Sequence, residues 1–248
     1  MDNRYGSGRA ITLNFWMTDY ERIRKSNAQS ARLNLLRDYL SLAGIRPVAD
    51  IRRASGGTLA CSQVIAFRKG VAKYLAVLPE PECSDEGLVT VNLAEPRHVY
   101  DLRAHRSLGR VTRVTGQLTA GEPLLFAFLA APVGRVWIIP ADNNASSVRI
   151  KAGETARFSV RLLPANAGST GQASTNPAGA MPPSAVHIEV RNPQGKVLDH
   201  YTANLPLDGG QAEFAVPLAL SDPPGTWRVV AREPYTNAAA TTSFVVAR

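Results

Sequence analysis

The sequence predicts a mainly β protein: two antiparallel β-sandwich modules of immunoglobulin-like type, preceded by a short strand-helix α/β segment. Three observations lead there. From Val48 onward apolar residues recur with a period of two, in short runs. Turn residues punctuate those runs throughout, with 19 glycines and 17 prolines in the chain. Helical periodicity is confined to one stretch that ends at Gly44. With 45% hydrophobic and 19% charged residues, the chain has the composition to bury a core.

The segment 1–47 reads as one strand and one helix. Arg9 to Phe15 alternates apolar and polar residues after the Tyr5-Gly6-Ser7-Gly8 entry. Leu36, Tyr39, Leu40 and Ala43 then fall at i, i+3, i+4 and i+7, and Gly44 stands where a left-handed cap belongs, with Pro47 blocking continuation. One strand and one helix cannot cover each other's apolar faces, so this segment must pack on something else.

Residues 48–140 read as the first sandwich. Cys61 to Phe67 and Val71 to Leu78 form a hairpin around Lys69-Gly70. Leu88 to Leu93, His98 to Leu102, Thr112 to Leu118, the apolar run Leu124 to Leu129, and Val133 to Ile139 follow at regular spacing. Pro140 to Asn144 is a polar break, and residues 145–248 read as a second sandwich. Its strands are Val148 to Ile150, Ala156 to Leu163, Val186 to Arg191, Lys196 to Asn204, Ala212 to Leu218, Trp227 to Ala231 and Thr242 to Val246. Within it, 165–183 is almost wholly Ala, Gly, Ser, Thr, Asn and Pro, the composition of a mobile loop. Asn192-Pro193-Gln194-Gly195 and Pro223-Pro224-Gly225-Thr226 are tight turns, the second delivering Trp227 into the core.

The catalytic motifs that can be read from sequence are missing. There is no Gly-x-Ser-x-Gly elbow, no phosphate loop, and no His-Glu-x-x-His pair. The four histidines are scattered, so no metal site and no cofactor is expected. Glu80, Glu82, Asp85 and Glu86 cluster in a loop, which leaves a small glycoside hydrolase as an alternative. The net charge of +8 raises a second alternative, a nucleic-acid-binding module built on Arg97, Arg103, Arg106, Arg110 and Arg113, with Tyr100 interleaved. A solvated arginine-rich sheet face is the simpler reading of that run. Trp16, Arg97, Tyr100 and Arg103 are the candidate ligand-binding residues. If a polysaccharide binds, Trp16 is the indole least committed to a core. Cys61 and Cys83 are placed to form a disulfide in an oxidising compartment, or to remain two thiols.

A resemblance adds to these readings. Tyr5-Gly6-Ser7-Gly8-Arg9-Ala10, then Leu13-Asn14-Phe15, Tyr20, Arg24 and Leu36 to Gly44-Ile45-Arg46-Pro47, resembles the end of the amidotransferase-like trimerisation domain of family 42 β-galactosidases. Val99-Tyr100-Asp101-Leu102, Leu108-Gly109, Leu118 and Gly121-Glu122-Pro123 are similar to the C-terminal sandwich of those proteins. Residues 186–248, through Asn192-Pro193-Gln194-Gly195 and Pro224-Gly225-Thr226-Trp227, resemble macroglobulin-type or bacterial immunoglobulin-like domains. The resemblance implies a non-catalytic accessory region of a larger carbohydrate-active or cell-surface protein, secreted or periplasmic. It would couple domains or bind polysaccharide or protein. Its partners would be an upstream domain or a second copy, with no membrane insertion. If Met1 is the true start, the chain is cytoplasmic instead.

Overall fold

A computed structural model describes residues 2–6, 8–11, 29–45, 49–59, 61–80, 86–141, 148–165 and 184–247. At the start, β1 (Asp2–Tyr5) pairs antiparallel with β2 (Gly8–Ile11), so the strand entered at Gly8 has a partner within its own segment. The rest of the expected strand, residues 12–15, lies outside the described residues, as does Trp16. Helix α1 (Gln29–Leu42) ends as its sequence requires. Gly44 adopts φ 74°, Ile45 N–H reaches Leu40 O at 2.9 Å, and Gly44 N–H reaches Ser41 O at 3.0 Å. None of the described side chains of α1 is buried.

The first module is a six-stranded antiparallel sheet: β3 (Asp50–Arg53), β4 (Ser62–Lys69), β5 (Ala72–Pro79), β6 (Gly87–Asp101), β7 (Arg106–Leu118) and β8 (Leu124–Leu129). The order is β3-β6-β8-β5-β4, with β7 on the free side of β6. Two separate strands are expected over 88–102, but β6 is one strand of 15 residues whose register shifts between Asn92 and Arg97. That irregularity lets its first half pair with β3 and its second half with β8, curling the sheet over its own core. Leu75, Val77, Val89, Val91, Val99, Val114, Leu118, Phe126 and Phe128 fill that core.

The second module is an eight-stranded sandwich. One sheet runs β14 (Gln211–Pro217), β11 (Thr155–Pro164), β9 (Val133–Pro140). The other runs β10 (Val148–Lys151), β16 (Ala239–Ala247), β15 (Gly225–Arg232), β12 (Ser184–Arg191), β13 (Ala203–Leu207). β10 lies parallel to β16 and every other pairing is antiparallel, an immunoglobulin-like arrangement. Trp227 is fully buried between the sheets, and its indole N–H donates to Pro223 O at 3.0 Å.

Two further expectations are corrected. The run Val133 to Ile139 does not close the first sandwich; as β9 it pairs with β11, Ile138 opposite Val160, and is the first strand of the second. The module boundary therefore falls at Ala130-Ala131-Pro132, ahead of the polar break at Pro140 to Asn144. Lys196 to Asn204 is not one strand: a single 3₁₀ turn at Asp199–Tyr201 interrupts it before β13. Most of the low-complexity stretch, 166–183, lies outside the described residues.

Candidate functional site

Strands β5 and β8 read Ala-Lys-Tyr-Leu-Ala-Val-Leu and Leu-Leu-Phe-Ala-Phe-Leu, apolar at nearly every position. A strand with that pattern needs cover on both faces. Register divides the two strands cleanly. Leu75 opposite Phe126 points into the first module's own core. Tyr74 opposite Ala127, and Tyr100 opposite Ala127 from β6, lie on the other face. That outer face is where the second module docks. Ala72, Tyr100, Ala127, Leu129 and Val133 belong to the same continuous apolar cluster as Trp227 and Phe244.

The element that closes this seam is the connection between β15 and β16, Glu233 to Ala238. Glu233 is only 1% exposed. A buried carboxylate is tolerable only when hydrogen-bonded, and this one is. The backbone N–H groups of Tyr235, Thr236 and Ala238 donate to it at 2.6, 2.8 and 3.2 Å, and the Thr236 hydroxyl donates as well. Asn237 takes a left-handed φ of 60°, which completes the turn. The braced loop pushes Tyr235 into the first module. Its ring lies 5.4 Å from that of Tyr100, and its hydroxyl is 3.2 Å from the Tyr74 hydroxyl. The Tyr100 hydroxyl in turn accepts Val133 N–H at 2.7 Å. At the rim, His105 Nδ1–H donates to Pro234 O at 2.9 Å. Burial drives the phenol of Tyr235 well above its ordinary range, with the Tyr74 hydroxyl acting in the same direction. Burial raises Tyr100 as well.

Of the candidate ligand residues, Arg97, Tyr100 and Arg103 form no common pocket, and Trp16 lies outside the described residues. Tyr100 is 2% exposed and committed to the seam, so it offers no face for stacking. Arg97 pairs with Glu95 on its own strand. It lines a recess of about 30 Å³, too small for a sugar ring. Arg103 donates to Pro123 O at 3.1 Å and lies 3.5 Å from Glu122. Of the other indoles, Trp227 is core and Trp137 is half-buried with the Arg135 guanidinium 5.2 Å over its ring. Cys61 is buried and disulfide-bonded, next to the hairpin end where Glu80 N–H donates to Cys61 O at 2.9 Å. Cys83 lies outside the described residues, as do Glu82 and Asp85 of the acidic loop. Glu86 accepts the N–H of Ala120. Among the described residues no three His, Cys, Asp or Glu side chains group as metal ligands. Among them, too, no helix is long and apolar enough to cross a membrane.

A second surface stands out at the sheet edge. In β4 every residue from Gln63 to Lys69 is exposed, including Val64, Ile65 and Phe67 at 47, 45 and 52%. Phe67 stacks on Tyr74 with ring centroids 5.4 Å apart, so Phe67 and Ile65 continue the outer face that the second module covers, while Val64, opposite Val77, lies on the face of the first module's own core.

No family model and no curated protein matches the sequence. Among solved structures the chain is similar to Escherichia coli α2-macroglobulin in its native conformation, at 16% identity and a TM-score of 0.35, over 77% of this chain and 12% of that one. It is similar to a Salmonella α2-macroglobulin mutant at 17% identity and a TM-score of 0.34, over 77% and 13%. A chimeric titin Z1Z2 tandem aligns at 16% identity and a TM-score of 0.25, over 81% and 83%. The chain thus spans about an eighth of the length of the macroglobulins it matches.

Proposed function

We propose that this chain is a non-catalytic coupling and assembly region of a larger protein, a rigid two-module arm that fixes the spacing and orientation of what flanks it. The observation that supports this is the seam. The two modules share one apolar cluster, three tyrosines interlock across it, and only Ala130-Ala131-Pro132 separates β8 from β9. Domains joined by a small polar interface and a long linker swing independently; a buried seam with a three-residue connection does not. The parent would be a cell-surface or carbohydrate-active protein, and the disulfide at Cys61 favours an oxidising compartment for it.

The test is residual dipolar coupling of the intact chain in weakly aligning medium. One alignment tensor fitting both modules supports the rigid arm. Two tensors of different magnitude would mean independent modules and would sink the reading.

The β4 edge favours self-association as the assembly mode. An open edge with exposed apolar residues is a template for another strand. If a second copy pairs antiparallel with Ala66 on the twofold axis, Phe67 meets the other copy's Ile65, while Arg68 and Lys69 fall opposite Val64 and Gln63. No like charges then face each other across the join.

A further inference from the structure

The fold brings the two tight turns of the second module together. Pro193 of the Asn192-Pro193-Gln194-Gly195 turn packs on Gly225 so closely that a Cβ there would sit 3.0 Å from Pro193 Cγ. Gly225 also takes φ 131°, a conformation that L side chains rarely adopt. The chain therefore has no room for a larger residue at this contact. Beside it opens a cleft of about 340 Å³ between the turn, Thr226, Arg191 and Arg228. That volume accommodates a group of about one sugar ring.

The charge arrangement around this cleft is unbalanced. Arg191 and Arg228 are direct partners across β12 and β15. Like charges placed directly opposite in an antiparallel pair destabilise a sheet. Among the described residues, one carboxylate ion-pairs on this face. Glu189 accepts a hydrogen bond from Arg191 at 2.7 Å and lies 3.9 Å from Arg232. The Arg191 bond holds Glu189 below the ordinary carboxylate range, so it is ionised and engaged at neutral pH. Arg228 has no carboxylate partner among the described residues. Arg191 Nε is buried with no hydrogen-bond partner. Two facing guanidinium groups that line one cleft, with a carboxylate on only one of them, call for an acceptor of opposite charge between them.

We propose that this cleft binds a single oxyanion, free or carried on an acidic sugar, held between Arg191 and Arg228 with Thr226 at its side. Guanidinium forks match the planar carboxylate and the faces of sulfate and phosphate, whereas chloride has no such geometry. The anion would separate the two facing cations, so binding and stability rise together.

The experiment is thermal unfolding of the intact chain at fixed ionic strength in sodium chloride, sulfate, phosphate, glucuronate, or chloride plus glucose, together with amide chemical-shift titration. Sulfate, phosphate or glucuronate should raise the midpoint over chloride and shift the Gly195, Thr226 and Arg228 amides. Glucose should do neither. A response stronger to glucuronate than to the inorganic ions assigns the acidic sugar; the reverse order assigns a free anion. Arg228→Gln should weaken the response at least tenfold and, by removing the facing charge, raise the midpoint in low-salt chloride. Arg228→Lys keeps the charge but not the fork and should restore only part of the response. Equal effects of all the anions, an unchanged response in Arg228→Gln, or shifts spread over the surface would overturn the proposal.

Discussion

The hydroxyl oxygens of Tyr74 and Tyr235 lie 3.2 Å apart across 161 positions of sequence. One comes from the middle of a first-module strand and the other from the tip of the last hairpin. Their contact ties the two modules directly, beside the buried Tyr100 hydroxyl that accepts Val133 N–H.

Tyr235→Ala should therefore cost more than an ordinary loop substitution. The ring is 2% exposed, and removing a buried aromatic costs about 3–5 kcal/mol. Chemical denaturation would measure it, and the dipolar couplings of the same variant should separate into two tensors. Tyr235→Phe keeps the ring and loses one hydrogen bond, for about 1 kcal/mol. A loss below about 1 kcal/mol in the alanine variant would mean that the loop is not what closes the seam.

The seam should fail in alkali. The folded phenols of Tyr235 and Tyr100 are raised above 10.0 mainly by burial. A raised pKa means that the neutral form is the one the fold favours. The unfolded chain ionises first, so the contribution of these groups is intact below about pH 10 and shrinks as pH rises further. Unfolding followed from pH 8 to 11 should show stability falling above pH 10, with a shallower fall in Tyr235→Phe. A profile flat to pH 11 would contradict the burial of these hydroxyls.

Glu233→Gln retains shape but replaces a fully engaged carboxylate. It leaves the N–H groups of Tyr235, Thr236 and Ala238 with one acceptor oxygen instead of two and places an amide donor beside them. A loss of about 1–3 kcal/mol is expected, with hydrogen exchange at those three amides accelerating first. Exchange rates equal to the wild type would show that the loop is braced by something else.

We propose that the disulfide partner of Cys61 is Cys83, the only other cysteine. Alkylation of the native chain should then add no label, and alkylation after reduction should add two. Closing a loop of about twenty residues contributes on the order of 3 kcal/mol, so reduction should lower the unfolding midpoint. Labelling of both thiols without reductant would dismiss the bond.

The exposed edge carries its own test. Light scattering across a dilution series should show a reversible dimer, and Phe67→Lys on that edge should abolish it. A monomer at every concentration would retire the second-copy reading.

Much of the architecture was legible because its signals are local. The alternation along β12 and β14 and the Gly70 hairpin between β4 and β5 need only neighbouring residues. So does the Gly44 cap of α1. The alternation of Val133 to Ile139 marks a strand without naming its sheet; its partner β11 is fixed by tertiary packing. The seam escaped for a related reason. The double-faced apolar pattern of Leu124 to Leu129 did announce cover on both sides, but nothing local says that the second cover comes from Tyr235. Tyr100 reads as a surface aromatic among arginines because the exposed Arg103, Arg106 and Arg110 follow it closely in sequence, although they lie in the next turn and on β7. Asn192–Gly195 and Gly225–Thr226 read locally as two separate turns, since their meeting across β12 and β15 is a matter of pairing rather than of either sequence.

Synthesis of this chain runs in one direction, and the seam is closed from its far end. When Tyr74 leaves the ribosome, Tyr235 is still 161 residues away, a delay of about 8–30 s at about 5–20 residues per second. Until that loop emerges, the nascent first module keeps an apolar outer face that lacks the ring completing its cover. Its safe passage depends on chaperone cover or on fast completion of the last hairpin. A chain cut short before Glu233 would lack both the loop that closes the seam and β16, leaving apolar surface bare rather than making a smaller working protein.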